Sequence, residues 1–213
     1  MLPILYYGSE AQRNEWLPAL CLGEKKAAYC LTEPSSGSDA LGAKTKAVLS
    51  EDDQSWAISG QKMWITNGGF ADVFIVFAQV QEDSRLDGQS GFTGFIVPAH
   101  NANVRLGAEE KKMGINGSST RQVFFEEVII PRENVLGDIG KGHKIAFNVL
   151  NIGRYKLGVI GIGGSKAVIT ASVKYANERK QFGQSIASFE AIRFKIAEQV
   201  IRTYALESAC YRT

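Results

Sequence analysis

The sequence predicts an α+β chain with a central antiparallel β-sandwich or barrel flanked by α-helical segments. Three observations carry that prediction. Between Lys26 and about Leu136, six short apolar runs recur: Ala27 to Leu31, Lys44 to Leu49, Trp56 to Ile65, Val73 to Val80, Phe92 to Val97 and Gln122 to Ile130. Turn-forming groups at Asn67-Gly68-Gly69, Asp87-Gly88 and Asn116-Gly117 fall between runs, with Ser59-Gly60 interrupting the third, which suits hairpins better than βαβ units with intervening helices. On both sides of this region the apolar residues recur at helical spacing instead.

The elements follow in order. Ser9-Glu10-Ala11-Gln12 reads as a capping box, so a short helix is expected from about Glu10 to Leu20, stopped by Gly23. The strands come next, and after Pro131 the pattern changes again. Ile145, Val149, Leu157, Ile160, Val168 and Ala171 define a long helix or kinked pair between Gly142 and Glu178. Gly158, Gly161 and Ser165 line one smooth face of it, and interior glycines at about 1 kcal/mol each need a closely apposed helix to offset them. A second helix from about Phe189 is expected to carry Ile192, Ile196, Val200, Tyr204 and Ser208 on one stripe. It reaches Thr213 without a stop signal and with little helical material left to cover its stripe, so the chain reads as part of a longer protein.

Composition removes several function classes. The 213 residues hold 24 Lys plus Arg against 22 Asp plus Glu, a net charge of +2 that points to no nucleic acid partner. With 45% apolar and 22% charged residues, the chain has the material for a buried core. Cys21, Cys30 and Cys210 are odd in number and far apart, which suggests neither a disulfide framework nor a zinc site. No leader pattern opens the sequence, and the charge-free stretch from Leu157 to Ser165 falls short of the roughly 20 residues a membrane helix needs, so no transmembrane segment is expected.

Four segments could carry chemistry. In Tyr29-Cys30-Leu31-Thr32-Glu33-Pro34-Ser35-Ser36-Gly37-Ser38-Asp39, a strand runs into a loop of small hydroxyl residues able to aim N–H and O–H groups at an anion or at the edge of a heterocycle; the same residues also make good turns. In Gly60 to Gly69, Trp64 could cover a flat ring while Thr66, on the same strand face, bonds its edge; a core Trp beside a hairpin is the alternative. Glu178-Arg179-Lys180-Gln181-Phe182-Gly183 reads as a helix stop whose guanidinium could equally meet a phosphate. Arg154 is a further candidate anion contact, or a solvated Arg. There is no phosphate-binding Gly-rich loop, and His100 and His143 are isolated; His143 suits the start of a helix.

Taken in order, these segments resemble the acyl-CoA dehydrogenase family. Tyr29 to Asp39 is similar to one family signature and Gly60 to Gly69 to the flavin-covering strand. Phe92-Thr93-Gly94-Phe95, Lys112-Met113-Gly114, Ser119-Thr120-Arg121 and Glu178 to Gly183 continue the match, and Asn151-Ile152-Gly153-Arg154 is more like the very-long-chain branch. The resemblance implies the end of an N-terminal helical domain in 1–23, the middle β domain in 24–136 and the first helices of a C-terminal four-helix domain in 137–213. It implies FAD as cofactor, with Tyr29, Leu31, Thr32, Gly37, Ser38, Trp64, Ile65 and Thr66 at the flavin and pyrophosphate, and Arg179, Gln181 and Phe182 reaching the FAD of a neighbouring subunit in a homodimer or homotetramer. Ser38, Asn151 and Arg154 would hold the CoA part of the substrate.

The reaction so implied is α,β-dehydrogenation of fatty acyl-CoA in fatty-acid β-oxidation, with electron-transfer flavoprotein as the acceptor, in bacterial cytoplasm or the mitochondrial matrix. In most family members the base is a Glu in a late helix, beyond residue 213, and the position used by a minority is Gly153 here. The chain alone is therefore expected to be inactive. Glu33 is expected to be structural, and Glu190 replaces a Gln that many relatives carry near the neighbour's adenine. An acyl-CoA oxidase or a non-catalytic scaffold on the same fold remains open.

Overall fold

A computed structural model describes all 213 residues, in two compact units, Met1–Val149 and Leu150–Thr213. The first unit opens with two helices, α1 (Leu2–Tyr7) and α2 (Glu10–Leu22). The capping box forms as read: Ser9 Oγ accepts from the Gln12 N–H and the Gln12 side chain accepts from the Ser9 N–H. Gly23 closes α2 in the left-handed conformation at φ 75°. α1 escaped the reading because six residues around Pro3 hold too few turns to show a period.

Eight strands form one sheet: β1 (Ala27–Cys30), β2 (Lys46–Leu49), β3 (Ser55–Thr66), β4 (Val73–Val80), β5 (Gly91–Pro98), β6 (Val104–Glu109), β7 (Thr120–Pro131) and β8 (Val135–Leu136). Six match the runs read from sequence, and β4 matches to the residue. The two not anticipated are β6, whose residues are half-buried or exposed without alternation, and β8, which is two residues long. Order along the sheet is β6-β7-β3-β2-β4-β5-β8, and β1 pairs with β4 beside it. Pairing is antiparallel except that β1 and β2 both run parallel to β4: Ala27–Cys30 lie against Val73–Val76, and Lys46–Ala47 against Gln79–Val80. The sequence between β1 and β2, Leu31 to Thr45, leaves the sheet between these two pairings.

The sheet folds over itself. Phe74 of β4 meets Phe125 of β7 edge-on at 6.1 Å, and Trp56 of β3 meets Phe95 of β5 at 5.6 Å, although neither pair of strands is adjacent. Between the folded halves lies a core containing Trp56, Ile58, Phe74, Val76, Val123 and Phe125. The opposite face of β4 and β5, with Val73, Ile75, Phe77 and Ile96, packs on Ile4, Trp16, Leu136 and Ile145. β4 is thus buried on both faces, which is why it reads as an unbroken apolar run.

The second unit is a helical hairpin. A single helix, α3 (Gly142–Glu178), starts in the first unit and continues into the second, and α4 (Glu190–Arg212) returns along it. The glycine face meets the expected neighbour: a Cβ on Gly158 would lie 3.3 Å from Cys210 Sγ, and one on Gly161 would lie 3.7 Å from Leu206. The inward stripe of α4 differs from the expected one. Ile192 and Ile196 begin it, but it continues through Gln199, Thr203 and Cys210, leaving Val200 and Tyr204 47% and 73% exposed. Steps of four residues overrun the 3.6-residue turn by about 40° each, so a strict i+4 series walks off the buried face. Leu157, Ile160 and Val168 of α3 are likewise exposed. An 18-residue window of α3 reaches a mean hydropathy of 1.2, so by length and composition alone this helix could cross a membrane.

The helix stop also differs from the expectation. α3 ends at Glu178, and Gly183 is no C-cap; it forms with Phe182 the two-residue turn of a small hairpin, β9 (Lys180–Gln181) and β10 (Gln184–Ser185). Both turn residues are left-handed, at φ 52° and 78°.

Candidate functional site

The strand β3 changes parity in its second half. Trp56, Ile58 and Lys62 all face inward, and a bulge between Lys62 and Ile65 then turns Ile65 inward and leaves Trp64 and Thr66 outward. Trp64 sits at the bulge with φ 57°, an uncommon conformation for a bulky residue, and the residue is 60% exposed. The outward Trp64 and Thr66 are on one face, as their spacing suggested.

Beside them lies the end of β1. The Met63 N–H donates to the Thr32 carbonyl at 2.9 Å, so Thr32 is fixed next to Trp64. Glu33 and Ser36 close a tight turn through two backbone bonds, of 2.9 and 3.1 Å, and the buried Ser36 hydroxyl donates to the Asp39 carbonyl. The exposed tip carries Ser35, Gly37 and Ser38, and a Cβ on Gly37 would meet nothing within 4 Å. Thr32 N–H and Thr32 Oγ1 have no partner within the chain. The Tyr29 side chain is committed inside the unit: its hydroxyl donates to the Ala146 carbonyl at 3.2 Å and its ring packs on Phe77.

Under this surface lies an ion pair that sequence reading missed. Lys62 is fully buried, and its Nζ donates to Glu33 Oε1 at 2.7 Å and to the Leu31 carbonyl at 3.2 Å. Glu33, 4% exposed, also accepts from the N–H groups of Lys44 at 2.6 Å and Thr45 at 3.1 Å. Burial penalises the Glu33 charge, but these donors outweigh it and hold its pKa below the ordinary carboxylate value. Burial also dominates at Lys62 and lowers its pKa, against the opposing pull of Glu33. With every carboxylate contact spent on Lys62 and the chain ends of one loop, Glu33 is structural, as its place before Pro34 suggested. Lys62 was legible in principle, because it shares the even-numbered inward parity of Trp56 and Ile58.

In the second unit, Asn151 and Arg154 are exposed on α3, with the Arg154 guanidinium donating to Asn151 Oδ1 at 2.6 Å. Arg179, Gln181 and Phe182 are exposed at the far end, Phe182 by 92%. The 28 residues of helix between Asn151 and Arg179 span about 42 Å, so one bound molecule would not be gripped by both groups in one chain. Glu190 occupies the first turn of α4, where a carboxylate suits the helix dipole. A groove of about 450 Å³ between α3 and α4, lined by Gly161, Ser165, Val168 and Thr203, includes the small-residue face read from sequence but none of the residues put forward for the cofactor or substrate site. No group of three metal-ligating side chains occurs.

The folded-over sheet, with a hydroxyl-rich loop and an exposed Trp on its rim and an antiparallel helical hairpin after it, defines a two-part architecture shared with known proteins along nearly its whole length. Residues 28–128 match the acyl-CoA dehydrogenase middle domain and 140–213 the acyl-CoA dehydrogenase C-terminal domain. The chain belongs to the acyl-CoA dehydrogenase family. It is 55% identical over 212 residues to a probable acyl-CoA dehydrogenase of Bacillus subtilis (strain 168), covering 100% of this chain and 34% of the relative. A mitochondrial very long-chain specific acyl-CoA dehydrogenase of Macaca fascicularis is 43% identical over 210 residues, covering 98% and 32%. The crystal structure of an acyl-CoA dehydrogenase complexed with FAD from Bacillus anthracis superposes with a TM-score of 0.88 at 53% identity, over 99% of this chain and 35% of that one. The chain thus spans about a third of the length of these relatives.

Proposed function

We propose that the chain is the cofactor-site part of a longer FAD-dependent acyl-CoA dehydrogenase that converts fatty acyl-CoA thioesters to their α,β-unsaturated products in fatty-acid β-oxidation. The observation that carries this reading is the juxtaposition of Thr32, with its free N–H and hydroxyl, and the outward Trp64 and Thr66. Those groups fit a flavin: a flat apolar face for the indole, and a polar edge for the donors. When bound, FAD supplies a two-electron acceptor for the hydride leaving the substrate β-carbon.

The chain's own residues orient and shield. Thr32 and the Leu31 backbone would present donors to the pyrimidine edge of a bound flavin, Trp64 would cover the ring and exclude water, the buried Ile65 would support the bulge from within, and Thr66 would serve the ring near N5. Gly37 leaves the loop tip open for the pyrophosphate, beside Ser38, which also meets acyl-CoA; Tyr29 holds the strand end through its packed side chain. Asn151 and Arg154 form a paired cationic contact for the CoA end. Arg179, Gln181 and Phe182 serve the FAD of a neighbouring subunit in a homodimer or homotetramer, in keeping with the 42 Å separation derived above. The domain division 1–23, 24–136 and 137–213 belongs to this reading.

No carboxylate in the chain is offered as the base. Glu33 is spent, Gly153 has no side chain, and proton removal falls to a residue outside positions 1–213. The chain alone is inactive on this reading, and the intact protein passes electrons to an electron-transfer flavoprotein in bacterial cytoplasm or the mitochondrial matrix.

The test is an anaerobic absorbance spectrum of the intact protein before and after palmitoyl-CoA. Bleaching of a flavin band is expected. A flavin band unmoved by acyl-CoA of any length would favour a non-catalytic scaffold, and absence of flavin would overturn the site assignment.

A further inference from the structure

The dehydrogenation reading gives Lys62 no task, yet the structure keeps an ammonium fully buried in a β domain at a considerable desolvation cost. Its surroundings suggest why. The Leu31 to Glu33 segment is held at four polar points: the Leu31 carbonyl by Lys62 Nζ, the Thr32 carbonyl by the Met63 N–H, and the Glu33 N–H and carbonyl by Ser36. The Leu31 and Thr32 N–H groups are left over, and the second belongs to the peptide whose carbonyl Lys62 holds. No peptide bond in the chain is cis, and in a planar trans peptide the C=O and N–H point in opposite directions. With the Leu31 carbonyl aimed inward at Lys62, the N–H of the same peptide is aimed outward, on the side where Trp64 and Thr66 are exposed.

We propose that Lys62 is a positioning residue for the cofactor site: its ammonium grips the Leu31 carbonyl from inside the β domain and so aims and polarises the Thr32 N–H. The inference rests on the reading above, in which that N–H meets the flavin pyrimidine edge. A cation on the carbonyl draws electron density through the peptide and makes its N–H a stronger donor, as in any hydrogen-bonded chain in a low-dielectric interior. Glu33 supports the same end by fixing the direction of the ammonium and neutralising it. Because Lys62 and Trp64 are two residues apart on β3, one strand sets both the donor and the ring cover. A stronger donor at the pyrimidine edge favours the reduced flavin, which carries more negative charge there, so Lys62 raises the flavin potential.

The test uses the intact protein and Lys62→Met, which keeps the stem and removes the cation. Expected are an FAD Kd raised by up to about tenfold, the factor represented by the one net hydrogen bond that a misaimed Thr32 N–H would lose, a more negative flavin midpoint potential, and faster hydrogen exchange in a peptide spanning residues 29–39. Since Lys62→Met leaves Glu33 charged and unpaired, Lys62→Met/Glu33→Gln is measured beside it; its FAD affinity and potential are expected to stay below wild type. A purely structural pair would alter thermal stability without moving the potential. FAD-replete wild type with both variants at wild-type affinity and potential would overturn the proposal alone. Wild type without FAD would overturn the underlying reading and the proposal with it. Failure of both variants to fold would reduce the pair to a folding element and overturn it too.

Discussion

Glu33→Gln removes one charge and no volume, and its cost can be worked from the contacts. Three donors converge on the carboxylate, from Lys62 at 2.7 Å, Lys44 at 2.6 Å and Thr45 at 3.1 Å. A carboxamide keeps one oxygen and turns an NH2 toward at least one of them, while the buried ammonium loses its counter-ion. Breaking a buried pair from one side costs about 3–5 kcal/mol; the retained oxygen puts the expected loss near the lower end. At a urea slope of about 2 kcal/mol/M, the midpoint should fall by about 1.5 M. Fluorescence of the fully buried Trp56 follows the unfolding. The pH dependence has a fixed sign. The Glu33 pKa is depressed in the fold, so its contribution is complete above the ordinary carboxylate pKa of 4.5 and is lost as pH falls through the lower folded value. The gap between wild type and variant should therefore shrink on acidification below that pKa, and also narrow toward high pH, where the Lys62 ammonium left without its counter-ion gives up its proton in the variant. A midpoint shift under about 0.5 M at neutral pH, or a gap that persists in acid, would refute the structural role given to Glu33.

Other outcomes follow from single contacts. Gly60→Ala should destabilise by about 1–3 kcal/mol in thermal melts, because its Cβ would lie 2.7 Å from Thr45 Cα, a backbone atom, at a residue already at φ 157°. Gly163→Ala, with nothing within 4 Å, should stabilise α3 by about 1 kcal/mol, whereas Gly158→Val should push α4 away at Cys210 and lower the melting temperature. Trp64→Gly should relieve the left-handed strain and leave unfolding stability no lower, while weakening FAD binding measured by flavin fluorescence. Ser119→Ala should raise the titration of Glu109, followed by carboxyl NMR. The Ser119 hydroxyl at 2.6 Å, with Arg121 and the Thr120 N–H, now holds that pKa down to about 2.

Much of this was legible in residue patterns because the physics there is local. The capping box at Ser9 and Gln12 needs only three-residue spacing, and Val73 to Val80 reads as a strand because both its faces are buried. β6 was hidden because neither face is buried enough to impose alternation, and β8 because two residues make no pattern. The α4 stripe failed on arithmetic: a series of fours approximates the helix over two turns and departs from it over four. At the candidate site, the small hydroxyl loop and the Trp-x-Thr pair were visible as residue types, but their adjacency depends on a long-range bond from Met63 to Thr32. Lys62 was missed because a lysine in a strand is ordinarily read as solvent-facing, and its burial depends on a partner 29 residues away.

The way β1 and β2 share one edge of β4 makes the segment between them a detachable cassette. Its two ends are fixed to consecutive stretches of the same strand, and Glu33 ties the outgoing end directly to Lys44 and Thr45 at the returning one. The tip from Pro34 to Leu41 makes no backbone pairing with the sheet and touches it through the Gln79 side chain, which donates to the Leu41 carbonyl at 2.8 Å. Loop closure has already been achieved at its base, so lengthening the tip from eight to sixteen residues, one doubling, would add only about 0.6 kcal/mol of chain entropy. Tips of other lengths grafted beyond Ser36, whose backbone bonds close the Glu33 turn, would re-shape what the rim recognises while the sheet beneath keeps its geometry.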